Sequence, residues 1–190
     1  MKLRWSYLLL AVSVLLATSS STIAAGLEAD NYFGIGASII KYDDDIVSVT
    51  THNTALTLKV GHNMNDFFAM EGRVAFGLGE DKIEDFAGLI DVNFEIDYLI
   101  GMYFRGNLPI GGTPRVRAYA LLGFTQAKFT ARAAGFSDSD TETDIGYGLG
   151  IELFGNERNA ISLEYLRALD IEDDGDFTVD SVSIAYINRF

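Results

Sequence analysis

Hydrophobic and polar residues alternate along eight segments of this chain, each about ten residues long or longer. In the segment Asp91–Asn107, Ile96 and Met102 belong to the apolar set, whereas Glu95 and Arg105 belong to the polar set. Because strand side chains point alternately to two faces, a period of two over such lengths predicts β-strands rather than helices. The eight predicted strands are Tyr32–Tyr42, Asn53–Met64, Phe67–Leu78, Asp91–Asn107, Arg115–Phe129, Asp144–Phe154, Ala160–Leu169 and Thr178–Phe190.

The last predicted strand, Thr178–Phe190, indicates which solvent the strands face. Val182 and Ile184 fall on one face, and Ser181 and Ser183 fall on the other. A strand that is apolar on one face and small or polar on the other suits a barrel that is apolar outside and wet inside. The segments also reach the roughly 9–11 residues that a transmembrane strand needs.

Long loops and short turns alternate between the predicted strands. The long loops are Asp43–His52, Gly79–Ile90, Thr130–Thr143 and Asp170–Phe177. This asymmetry is typical of outer-membrane barrels, whose turns are short on the periplasmic side and whose loops are longer outside the cell. The sequence therefore predicts an all-β protein, an eight-stranded antiparallel up-and-down transmembrane β-barrel. A soluble eight-stranded lipocalin, with its apolar face inward, is the alternative, because alternation alone does not distinguish inside from outside.

Residues before the first predicted strand have the pattern of a secretory signal. Lys2 and Arg4 precede the apolar run Leu8–Ala17, and small residues lead to Ala24 and Ala25. We therefore expect a cleavable signal peptide over residues 1–25, an outer-membrane β-barrel domain over residues 26–190, and localisation to the cell outer membrane of a Gram-negative envelope. The absence of cysteine excludes a disulfide scaffold, and the net charge of −13 argues against nucleic acid as a partner.

Eight charged residues lie on the polar face of the predicted strands and are expected to point into the lumen. They are Lys59, Glu71, Arg73, Glu95, Asp97, Arg117, Glu152 and Glu164. Buried charges must pair, and an eight-stranded barrel is only wide enough for side chains to fill it. The prediction is an ion-pair network that plugs the lumen, and the alternative is a small porin-like diffusion channel gated by exchange of these pairs. Glycines such as Gly150 are expected to make room for large neighbours such as Tyr119.

The four predicted loops hold more than half of the acidic residues. A solvated rim explains them most simply, and a surface ligand of the acidic loops is an expected partner. Binding of divalent cations at the lipopolysaccharide surface is the alternative, because such cations prefer carboxylate oxygens. No cofactor or metal site is expected.

Enzyme activity has little support in the sequence. His52 and His62 are the two histidines, and no nucleophile motif of the form G-x-S-x-G occurs. We expect a protein that is not an enzyme, and a lipid-modifying outer-membrane enzyme is the third function considered, after the structural barrel and the channel.

The chain resembles the OmpA/OmpX-like superfamily of small outer-membrane barrel proteins, which belongs with the porin-family proteins. The resemblance rests on the segments Tyr32–Ser38, Arg117–Phe124, Asp144–Leu153 and Ile161–Tyr165 and on the terminal Phe190. It implies outer-membrane lipid and lipopolysaccharide as surroundings, the barrel-assembly machinery as a partner, and Phe190 as the assembly signal. Asn188 stands where that family often places an aromatic residue.

Overall fold

The computed structural model describes residues 31–44, 49–78, 81–84, 91–110, 115–133, 136–171 and 177–190. Nine strands form in these residues: β1 Asn31–Asp44, β2 Val49–Asn63, β3 Phe68–Gly77, β4 Asp81–Glu84, β5 Asp91–Pro109, β6 Val116–Ala133, β7 Phe136–Phe154, β8 Asn159–Ile171 and β9 Phe177–Arg189. The predicted signal peptide, residues 1–25, lies outside the described residues, as do parts of all four predicted loops. The described residues include no helix long and apolar enough to cross a membrane.

The strands form one antiparallel sheet that closes into a barrel with eight strand positions. β1 pairs with β9, which closes the sheet and sets Ile35 opposite Tyr186. β3 and β4 both pair with β5, one after the other along its length, and so occupy one position together. The predicted eight-stranded antiparallel up-and-down barrel is confirmed. The predicted loop Gly79–Ile90, however, contains the short strand β4.

Large apolar side chains cover the outer face of this barrel. Phe124 and Leu149 are each 65% exposed, whereas Lys59 and Glu71 on the inner face are 2% and 1% exposed. Five aromatic residues are also exposed, namely Phe33, Phe67, Phe68, Phe104 and Tyr165. An apolar exterior around a polar interior is the arrangement of a membrane barrel and the reverse of a lipocalin, so the lipocalin alternative is wrong.

A β-bulge reverses the alternation near the start of β5. The register between β5 and β6 shifts between Ile96 and Tyr98, because Asp97 is an extra residue without a partner. Ile96 lies opposite Phe129, and both side chains are buried. The predicted outward position of Ile96 is therefore wrong, and its neighbours Glu95 and Asp97 lie on the opposite face from the lumen.

β6 and β7 are longer than the sequence pattern predicted. Their pairing continues from Val116 opposite Leu153 to Ala133 opposite Phe136, so the predicted loop Thr130–Thr143 is almost entirely strand. β8 pairs with β7 only from Tyr147 onward among the described residues. The earlier part of β7 therefore projects beyond the sheet with one paired edge. We call this end of the barrel the loop side, and the end with the short turns the turn side.

Candidate functional site

The turn-side half of the lumen contains a connected series of ion pairs. Its members, in order of contact, are Lys59, Glu164, Arg73, Glu71, Arg105, Glu152 and Arg189. We call this set the interior ion-pair chain. They come from six strands, β2, β3, β5, β7, β8 and β9, so the chain of contacts ties together most of the barrel wall.

Glu164 lies next to Lys59 at one end of the interior ion-pair chain. The Nζ atom of Lys59 lies 3.0 Å from one carboxylate oxygen of Glu164, and the Nη1 atom of Arg73 donates to the other at 2.6 Å. The hydroxyl group of Tyr119 donates to the same carboxylate at 2.9 Å. The carboxylate of Glu164 thus contacts two cations and a hydroxyl donor, as a buried charge requires.

Glu71 and Glu152 continue the chain toward the turn side. Glu71 accepts hydrogen bonds from Arg73 and, at 3.2 Å, from Arg105. The Nη2 atom of Arg105 also lies 2.7 Å from Glu152, and Arg189 donates to the second oxygen of Glu152 at 3.1 Å. Each of the two carboxylates therefore bridges two guanidinium groups.

Tyrosine side chains complete the packing around these charges. Tyr32 donates to Glu71 at 2.6 Å. The guanidinium carbon of Arg105 lies 3.7 Å from the ring centroid of Tyr119, within the range of a cation–π contact. A Cβ atom added to Gly150 would overlap the Tyr119 ring, so the prediction that glycine makes room for Tyr119 is confirmed.

The structure brings together Lys59, Glu71, Arg73, Glu152 and Glu164, five of the eight residues predicted for the lumen. It does not bring Glu95 and Asp97 to them: the bulge in β5 turns both residues away, and they pair with Arg132 and Lys128 at the loop side. Arg117 lies at the turn side, with its guanidinium carbon 5.3 Å from the Phe154 ring centroid.

Two cations of the interior ion-pair chain, Arg105 and Arg189, are not among the eight residues predicted for the lumen. Both lie on the polar face of their strands, so the alternation that selected the other residues also marked these two. Tyr119 was predicted as a large neighbour of Gly150, whereas Tyr32 carried no comparable signal, because a tyrosine can face either lipid or lumen.

Apolar side chains fill the loop-side half of the lumen. They include Ile40, Ile96, Leu99, Phe129, Leu169 and Val179, all of which are buried. Tyr42, Phe129 and Phe177 form an aromatic cluster at this end, with ring centroids 5.2–6.0 Å apart. We call this set the apolar layer.

A cavity of about 30 Å³ lies between the apolar layer and the interior ion-pair chain. Its lining includes Arg73 and Ser183, and neither the Nε atom of Arg73 nor the Oγ atom of Ser183 has a hydrogen-bond partner in the described residues. Such a volume accommodates a water molecule that could satisfy both atoms. The cavity is far too small to connect the two ends of the lumen.

The two histidines lie far apart. His52 and His62 are ten residues apart on β2, which separates them by roughly 33 Å along the strand. The Nδ1 atom of His62 lies 3.0 Å from Asn31 Oδ1 at the turn side. Among the described residues, no group of histidine, aspartate and glutamate side chains is arranged to hold a metal ion.

The projecting part of β7 carries a row of acidic side chains. Asp138, Asp140, Glu142 and Asp144 alternate with Ser and Thr residues along it. The backbone N–H groups of Ser139 and Thr141 donate to the carboxylates of Asp138 and Asp140, at 3.0 Å and 2.8 Å. Each of these bonds satisfies a backbone donor within the strand itself.

A closed barrel with an apolar outer face, a charged interior and one longer end defines the class of outer-membrane β-barrels. The family model for the outer membrane protein β-barrel domain matches residues 9–190, so the chain belongs to that family and is a protein of the outer membrane. None of the curated proteins matches this sequence.

Several solved structures have the same fold. Ail, the attachment invasion locus protein of Yersinia pestis, is 21% identical, with a TM-score of 0.63 over 86% of this chain and 100% of that chain. Neisserial surface protein A is 13% identical, with a TM-score of 0.61 over 84% of this chain and 97% of that chain. OprG from Pseudomonas aeruginosa is 15% identical, with a TM-score of 0.59 over 87% and 98% of the two chains.

Proposed function

We propose that this protein is a closed outer-membrane barrel with a structural and surface-interaction role, rather than a diffusion channel or an enzyme. The observation that carries the proposal is the filling of the lumen at two levels. The interior ion-pair chain occupies the turn-side half, and the apolar layer occupies the loop-side half. A solute would have to displace paired charges and then packed apolar side chains, and each is costly.

Planar-bilayer conductance of the refolded mature chain tests this proposal. We expect no discrete current steps from protein shown to be folded by its heat-dependent mobility in gel electrophoresis. Reproducible steps would contradict the closed barrel and favour the small diffusion channel.

The surface-interaction role rests on the projecting part of β7. Residues 137–143 are part of a strand that pairs with β6 on one edge, and in the part of the chain that the structure describes β8 joins its other edge only from Tyr147. Such an edge can accept a further strand from a partner, and the acidic row favours a cationic one.

Ail has been crystallised with the heparin analogue sucrose octasulfate. The negative charge along β7 here favours a partner of the opposite sign to that polyanion.

A cationic peptide with alternating lysine and valine serves as the probe for this surface. We expect Thr141→Pro to abolish binding, because proline lacks the backbone N–H that a partner strand would have to take over from the carboxylate of Asp140. Thr141→Ala retains that donor and is the matched control. Equal binding by both variants would show that strand pairing is not involved.

Phe190 is the proposed signal for the barrel-assembly machinery. The residue is 62% exposed, its ring centroid lies 6.4 Å from that of Phe33, and its backbone N–H donates to Asn31 O at 2.9 Å. We expect deletion of Phe190 to slow insertion into vesicles that contain the assembly machinery, with little effect on spontaneous folding in detergent. Equal slowing in both settings would assign Phe190 a structural role only.

The exposed apolar belt supports outer-membrane lipid and lipopolysaccharide as the surroundings of the folded chain.

A further inference from the structure

Two arginines lie together at the turn-side opening of the lumen. Arg117 of β6 and Arg189 of β9 both contact the ring of Phe154, with guanidinium carbons 5.3 Å and 4.4 Å from its centroid. Arg117 is partly exposed, so this opening is accessible from the turn side. The packed lumen above them means that a ligand entering here would stop at this level.

Cations outnumber carboxylates in the set formed by the interior ion-pair chain and Arg117. The interior ion-pair chain contains four cations and three carboxylates, and Arg117 adds a fifth cation. Both oxygens of Glu152 are already occupied, one by Arg105 and the other by Arg189.

The donors of the two arginines are incompletely used within the described residues. Arg117 forms no ion pair or side-chain hydrogen bond there, although the carboxylates of Glu152, opposite it on β7, and of Asp66 act on it at longer range. The Nε atom of Arg189 is shielded from solvent and has no acceptor. Both guanidinium groups contact one aromatic ring, and each has at least one N–H donor without an acceptor in the described residues.

We propose that Arg117 and Arg189 form a binding site for an oxyanion, a phosphate or carboxylate group, at the turn-side opening of the barrel. Guanidinium groups match such oxyanions because their N–H donors can bond two oxygens at once. Phe154 restrains both guanidinium groups through cation–π contacts, so less side-chain freedom is lost when the anion binds. Phosphate chemistry could be supplied by a free anion of the periplasm or by the headgroup of an anionic lipid in the inner leaflet.

Calorimetric titration of the refolded mature chain with inorganic phosphate, in phosphate-free detergent buffer, tests the site. We expect saturable binding by the wild-type chain and a loss of affinity of about tenfold or more in Arg117→Gln, from the loss of a charge-assisted contact. Arg158→Gln, which removes an exposed arginine from the turn between β7 and β8, is the matched control and should bind as the wild type does. Arg117→Lys keeps the charge without the two-pronged donor geometry, and we expect it to bind with intermediate affinity.

A second titration with short-chain phosphatidylglycerol separates the two sources. Tighter binding of the lipid than of phosphate would assign the site to a headgroup, and binding of phosphate alone would assign it to a free anion. Absence of binding for both ligands, or equal affinity in the wild type and Arg117→Gln, would overturn the proposal. Because Arg117 forms no ion pair in the described residues, its replacement should not prevent folding, which the heat-dependent gel shift verifies for every variant.

Discussion

Glu71 shows how much a single buried carboxylate organises in this barrel. Its side chain is fully shielded, and it accepts hydrogen bonds from Tyr32, Arg73 and Arg105, which belong to three different strands. A charge in such a place is tolerated because its partners are charged and donate directly to it. Removal of the charge leaves two guanidinium groups short of a counterion in a lumen closed to water.

Replacing Glu71 with glutamine should therefore destabilise the barrel strongly. We expect a loss of about 3–5 kcal/mol in the free energy of unfolding, the usual cost of breaking a buried pair from one side. Urea titration in lipid vesicles, followed by gel mobility, measures it. Glu157→Gln, at an exposed turn position, is the control and should change little. Equal effects of both substitutions would show that charge at Glu71 contributes nothing specific.

Gly150 is a second residue at which a small substitution should change the stability of the barrel. It lies opposite Tyr119, and an added Cβ atom would overlap the ring and push the hydroxyl group away from Glu164. Gly150→Ala should lower the free energy of unfolding by about 1–3 kcal/mol, as overpacking does. Gly106→Ala adds the same methyl group where nothing lies within 4 Å of it, so its thermal unfolding midpoint should stay near the wild-type value.

Glu71 and Glu164 also show what alternation along a strand can and cannot predict. Alternation alone is enough to place Glu71 and Glu164 on the polar face of their strands, because every second side chain points the same way. The choice of partners depends on how strands far apart in sequence come together around the lumen. Lys59 and Glu164, for example, are 105 residues apart, and a single sequence carries no signal for that contact.

Among the strands, the departures from prediction have two physical causes. The bulge at Asp97 inserts one residue, which reverses the direction of Glu95 relative to the predicted lumen face without changing the sequence pattern around it. The distal part of β7 carries Ser, Thr, Asp and Glu residues at positions where the other strands carry apolar ones, so it lacks the apolar alternation that identified those strands. Thr130–Thr143 was for that reason predicted as a loop, although its backbone pairs as a strand.

The projecting ribbon of β6 and β7 should be dispensable for folding. Replacing residues 131–138 with a two-residue Asn-Gly turn would join Thr130 to Ser139, which already lie opposite each other. The pairing of residues 131–133 with Val92, Asn93 and Phe94 of β5 would be lost, together with the ion pair of Arg132 with Glu95, which contributes little because Arg132 is half exposed. We expect a folded barrel whose free energy of unfolding falls by about 1–3 kcal/mol, because a few backbone hydrogen bonds at the loop side are removed. A trimmed chain that fails to show the heat-dependent gel shift would mean that the ribbon supports the barrel.

Across the whole molecule, the interior has two layers of opposite chemistry. The interior ion-pair chain lies toward the turns, and the apolar layer, with its cluster of Tyr42, Phe129 and Phe177, lies toward the loops. Each layer closes the lumen by a different means, one through paired charges and the other through packing. Loss of one layer should therefore leave the barrel closed.

Conductance measurements on variants can separate the contributions of the two layers to closing the lumen. Arg105→Ala opens space between Glu71 and Glu152, and the pair Tyr42→Ala and Phe129→Ala removes two of the three rings of the aromatic cluster. We expect no current steps from either change alone and discrete steps when all three substitutions are combined. Heat-dependent gel mobility establishes folding before each measurement. Steps from Arg105→Ala alone would mean that the apolar layer does not seal the lumen, and the interior ion-pair chain would then be the gate of a narrow channel.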